Sequence, residues 1–126
     1  MLKRGLFLFV VLVSLFLPAT AYAQVHARPV STATLSPSPT NQGTNLSTYS
    51  DPVTVTIDAT ADTGYTVANT YYKIDGGQQQ NYSSPFTVSG SGTHSIEYWS
   101  VDNAGIEEFP HKSQSFIISP QQGVIN

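Results

Sequence analysis

A chain of 126 residues, 40% of them hydrophobic and none of them cysteine, has room for one domain and must hold it together by its core alone. The missing cysteines exclude a disulfide framework, a lipid-bearing cysteine behind a leader, and cysteine-ligated zinc. Five basic residues stand against eight acidic ones and do not cluster beyond Arg4, which excludes nucleic acid and anionic lipid as partners, since phosphate contacts need grouped Lys and Arg.

Lys3 and Arg4 precede an apolar run over residues 6–17 that only Ser14 interrupts, and Ala21-Tyr22-Ala23 puts small residues at both positions a signal peptidase reads. This three-part layout reads as a secretory signal peptide over 1–23, with Gln24 opening the mature chain. The run is shorter than the roughly 20 residues of a membrane span, so no membrane insertion is expected after cleavage. Three basic residues then remain against eight acidic ones, a net charge of −5. The expected location is extracellular or at the cell surface, and an exported chain without cysteine fits a bacterial source.

Residues 24–50 are rich in Ser, Thr, Pro and Asn and read as a linker, with an edge strand over 30–35. The domain proper is expected over 51–119, with a tail over 120–126. "VTVTIDAT" sets Val53, Val55, Ile57 and Ala59 on one face and Thr54, Thr56, Asp58 and Thr60 on the other, the period-two pattern of a half-buried antiparallel strand. After the "ADTGY" turn, "NTYYKID" alternates again, with Tyr72 and Ile74 opposite Tyr71, Lys73 and Asp75. "SSPFTVS", "THSIEYWSVD" and "SQSFIIS" follow, separated by Gly- and Ser-rich turns. No helical period follows the leader. About six to seven short strands at this spacing predict an all-β, antiparallel sandwich. Its expected core is Val53, Val55, Ile57, Tyr72, Ile74, Phe86, Val88, Ile96, Tyr98, Phe116 and Ile118.

The motifs that suggest chemistry have plainer readings. Asp75-Gly76-Gly77 lies between two alternating segments and reads as a tight hairpin turn, because a phosphate-cradling loop would lead into a helix. "DNAGIEE" lacks the alternating acidic pattern of an EF-hand loop. It reads as an Asx turn at Asp102 and Asn103, with Gly105 in an unusual backbone angle and Glu107 and Glu108 facing solvent. Loop carboxylates at one end of a sandwich can still converge, so Asp58, Asp62 and Asp102 form an alternative calcium set. His26, His94 and His111 lack metal-ligand spacing, and His26 falls in the linker. Gly90-Ser91-Gly92 is a turn and not a nucleophile elbow. No catalytic residue and no cofactor are expected. Asn45-Leu46-Ser47 and Asn81-Tyr82-Ser83 fit the N-glycosylation pattern, which matters only in a eukaryotic secretory route.

The outward side chains of the two longest segments hold the candidate binding site. If they are neighbours in one sheet, Tyr71 and Trp99 share a face, with Val101 and Ile117 beside them and Lys73 and Glu97 nearby. An exposed aromatic patch suits a sugar ring or a protein partner. The alternative is that Tyr71 and Trp99 pack on each other across strands or lie under the N-terminal segment.

The stretch "YYKIDGGQQQNYSSPFTVSGSGTHSIEYWSVDNAGIEE" resembles bacterial immunoglobulin-like modules of the type named after a spirochaetal outer-membrane protein. Tyr72, Ile74, Asp75, Gly76 and Gly77 match its hairpin, and Tyr82, Pro85, Phe86 and Val88 its next strand. Gly92, His94, Ile96, Tyr98, Ser100, Asp102, Ala104 and Gly105 match the strand and turn after that. The resemblance implies an immunoglobulin-like β-sandwich used outside the cell as a spacer, an adhesion unit or a substrate-binding aid, without catalytic residues. Gln79 or Gln80 stands where such modules often have Trp, and Trp99 where they are often polar, so a binding face is this sequence's own feature. The expected function is binding or adhesion to a polysaccharide or surface protein through Tyr71, Lys73 and Trp99. The alternative is a passive spacer in a larger surface protein or secreted enzyme.

Overall fold

The alternation in "VTVTIDAT" becomes burial: Val53, Val55 and Ile57 are enclosed, while Asp58 and Thr60 face solvent. The computed structural model describes residues 25–42 and 45–121, so the leader expected over 1–23 lies outside the described residues, as does most of the tail. The strands are β1 (Val30–Ser36), β2 (Asn41–Gln42), β3 (Ser47–Tyr49), β4 (Val53–Thr60), β5 (Val67–Ile74), β6 (Gln80–Asn81), β7 (Phe86–Val88), β8 (Gly92–Asp102) and β9 (Lys112–Ile118). A three-stranded sheet, β1-β4-β7, faces a six-stranded one, β2-β3-β9-β8-β5-β6. All pairings are antiparallel except β3 with β9.

This is the all-β sandwich that the alternation predicts, with nine strands among the described residues instead of six or seven. The additions are short. β2 and β6 have two residues each and β3 three, too few for a periodic signal. Residues 30–36 and 47–49 of the stretch read as a linker are built into the sheets, so the folded unit begins well before Val53. Tyr49 explains why β3 is held: its ring is buried and meets Phe116 edge-on at 5.7 Å.

The expected core residues all lie between the sheets, Ile74 and Phe86 only partly buried, and Tyr49 joins them. Tyr72 stacks on Phe86 at 3.9 Å, and Tyr82 meets both rings edge-on. Each large side chain buried this way is worth about 1.5–3 kcal/mol. Asp75 and Gly76 both take positive φ, 51° and 68°, and Gly77 donates its amide to the Ile74 carbonyl at 2.9 Å. That is the tight chain reversal expected at the end of β5, and residues 77–79 carry the chain on to β6.

Side chains from the connections of the larger sheet satisfy amides that the smaller one leaves open. β7 is short, so the Ile57 amide lies beyond its reach and donates to the Tyr82 hydroxyl at 3.0 Å. The Ser31 amide points away from β4 and donates to the Glu108 carboxylate at 3.0 Å. An edge amide already satisfied is a poor template for another chain.

Candidate functional site

β5 and β8 are neighbours, and their register puts Tyr71 opposite Trp99 and Lys73 opposite Glu97. The three candidate residues therefore come together on the outer face of the six-stranded sheet. The Tyr71 and Trp99 rings are 5.8 Å apart, and the Lys73 ammonium lies 5.4 Å from the Trp99 ring centre. One expectation is overturned: Trp99 points away from the core but is only 3% exposed. The connection from β8 to β9 folds back over it, and the His111 ring stacks on the indole at 4.0 Å with an interplanar angle of 1°. The sequence offers no sign of this cover, because strand periodicity says nothing of where a loop returns.

His111 is braced on both edges. Nδ1 lies 2.7 Å from Glu97 and Nε2 lies 2.8 Å from Glu107. Ionised carboxylates only accept, so both contacts are hydrogen bonds when the ring carries both protons. Burial works to lower the His111 pKa, but the bonds to Glu107 and Glu97 outweigh it and the pKa is raised. Lys73 adds a looser contact to Glu97 at 4.0 Å.

His94 is held in a similar way between the Gly90 carbonyl and Asp75, which together raise its pKa. The Ser95 amide and then His94 lower that of Asp75. The residue that forms the turn thus also ties the hairpin to β8.

The alternative calcium set divides. Asp102 is buried, and one of its oxygens accepts the amides of Ala104 and Ile106, which is the expected Asx turn. Gly105 has the expected positive φ, 81°. The other Asp102 oxygen lies 2.6 Å from His26 Nε2, and His26 stacks on Tyr65 at 3.6 Å. Asp62 accepts the amides of Ala27 and Thr63. These contacts bind the 25–29 segment across one end of the sandwich, so His26 lies against the fold and not in a free linker. Asp58 is on the exposed face of β4, opposite Thr32, and shares none of these contacts. No group of three metal-ligating side chains is present among the described residues. Burial tends to raise the Asp102 pKa, but the Ile106 and Ala104 amides and His26 bring it below the usual value; the Ala27 and Thr63 amides lower that of Asp62.

Glu108 corrects a second expectation, for it is buried and not solvent-facing. Its carboxylate accepts the Ser31 amide of β1 and the Ser100 amide of β8, at 3.0 and 3.2 Å, and so joins the two sheets. The hydroxyls of Ser31, Ser100 and Thr70 form a chain beside it. Glu107 stays exposed as expected.

These shifts fix a pH profile. His94 and His111 bind protons more tightly when folded, so their contribution is complete below the unfolded value of about 6.5 and is lost as pH rises through their folded values. Asp62, Asp75 and Asp102 contribute fully above about 3.9 and lose that contribution as pH falls through their lowered folded values. The melting temperature is therefore expected to peak between about pH 4 and 6.5 and to decline toward pH 9. Circular-dichroism melts check this, and His94→Gln should flatten the alkaline decline. A melting temperature that climbs steadily to pH 8 contradicts it.

No family model and no curated protein matches the sequence. Among solved structures, the fold is similar to the crystal structure of the PKD1 domain of Vibrio anguillarum Epp, with a TM-score of 0.55. The match covers 76% of this chain and 99% of that one at 10% identity. At that identity the likeness is one of architecture: the chain folds as an immunoglobulin-like β-sandwich.

Proposed function

We propose that this chain is a non-catalytic, extracellular immunoglobulin-like module that serves as a structural spacer. The observation that carries this reading is the closed outer face. The aromatic residue best suited to a ligand, Trp99, is sealed by the protein's own His111. The described surface also forms no cleft in which carboxylates could flank a substrate. On this reading Tyr71→Ala removes a cross-strand aromatic partner, lowers stability by about 0.5–1.5 kcal/mol beyond the loss of its buried area, and changes no interaction. The test is binding of the 24–126 chain to a panel of soluble and insoluble polysaccharides, beside urea denaturation of the variant. Binding by the native chain that Tyr71→Ala abolishes would sink the spacer reading.

A second reading has one observation in its favour. Tyr71 and Lys73 keep part of their surface exposed around Trp99, so a polysaccharide or surface protein that displaces one imidazole would meet a formed aromatic face. Tyr71, Lys73 and Trp99 would then be the contact residues.

A further inference from the structure

We propose that His111 is a proton-held cover over Trp99, closed while its imidazole carries both protons and opened by rotation of that one side chain when a proton is lost. The inference stands apart from both readings above, since it concerns what seals the face and not what the face binds.

Three features of geometry carry it. First, the ring lies flat on the indole at 4.0 Å, so it is the group that shields that face. Second, both ring nitrogens point at carboxylates, Glu97 on β8 and Glu107 in the connection. A neutral imidazole has one N–H, so one nitrogen lone pair must then face a carboxylate oxygen. Loss of the proton turns an attraction into a repulsion at 2.7 or 2.8 Å. Third, the backbone beneath the cover is fixed independently. The Glu108 amide donates to the Ser100 carbonyl, Val101 pairs with Glu107, and the Arg28 guanidinium donates to the Glu107 carbonyl. The connection cannot lift as a unit without breaking these bonds, so the strain is relieved at the His111 side-chain torsions.

The other charged groups nearby oppose or follow the change without replacing it. Lys73 on β5 reaches Glu97 only at 4.0 Å and sits over the same indole, and Lys112 follows His111 in an exposed position at the start of β9. Arg28 in the 25–29 segment contacts the Glu107 backbone, not its carboxylate. Tyr71 lies beside the indole, its ring 5.8 Å away, and reaches neither carboxylate.

The sequence contains one tryptophan, so indole fluorescence reports this site alone. The experiment is acrylamide quenching of the 24–126 chain from about pH 5.5 to about pH 9, spanning the histidine range. Far-UV circular dichroism at each pH confirms that the sandwich is intact. Trp99 should be shielded at the acidic end and become severalfold more accessible at the alkaline end. His111→Gln should be accessible throughout and lack the transition. Glu107→Gln, a change at an exposed residue, should move the midpoint to lower pH by removing one of the two carboxylates that hold the proton. A flat native profile, or a transition that persists in His111→Gln, overturns the proposal.

Discussion

Phe116→Ala is expected to leave the domain only marginally stable at room temperature. Phe116 is 0% exposed and lies on β9 between β3 and β8, paired with Ser47 on one side and His94 on the other. Its ring meets Tyr49 edge-on at 5.7 Å and lies 5.9 Å from the His94 ring. Removing it opens a cavity where strands on both sides are fixed by backbone bonds and cannot collapse inward. Such truncations cost about 3–5 kcal/mol. Domains are stable by about 5–15 kcal/mol, and a small one without disulfides has little beyond the lower figure. Urea denaturation by circular dichroism should show a midpoint shifted close to zero denaturant and a native baseline shortened or missing. Phe116→Leu, which keeps much of the volume, should lose less. A loss under about 1 kcal/mol for the alanine variant would mean that Tyr49 and β3 are not held as described.

That substitution also shows which parts of the fold were legible. Phe116 and Ile118 alternate with Ser115 and Ile117, so the inward face of β9 can be read from residue type. The same is true of β4 and the inward side of β8, and the Asp75-Gly76 pair identifies its turn because few residues accept positive φ at two successive positions. Tyr49 could not be read in this way. It ends a three-residue strand inside a polar stretch, and what buries it is a parallel partner some seventy residues downstream. The candidate site divides along the same line. The pattern assigns each residue a side of its strand; the pairing of β5 with β8, which the pattern leaves as a condition, brings Tyr71, Lys73 and Trp99 onto one face. Exposure did not follow, because period-two alternation reports only which side of a strand a residue takes. Whether the outer side is wet depends on the 103–111 connection, whose residues carry no period. The roles of His26 and His111 are hidden for the same reason: each acts through a contact with another element, and no local spacing encodes it.

Glu108 is the strongest such case and gives the second large effect. Replacing it with alanine should cost about 2–6 kcal/mol, since an unsatisfied buried polar group costs about 1–3 kcal/mol and two amides lose their acceptor at once. Those amides belong to different sheets, Ser31 in β1 and Ser100 in β8, 69 residues apart. The truncated side chain leaves space only 3% open to solvent, so water cannot readily substitute. The cost should fall mainly on the joint between β1 and the larger sheet. Hydrogen exchange at Ser31 and Ser100 should therefore accelerate more than at Ile96, which is equally enclosed but distant from the lost carboxylate. Glu108→Gln separates the hydrogen bonds from the packing. It keeps the shape but offers a carbonyl oxygen to one amide and an NH2 donor to the other, so it should retain part of the stability and protect only one of the two amides. If both variants melt with the native protein, the carboxylate does not join the sheets, and the closure of the sandwich at that edge must rest on apolar packing alone.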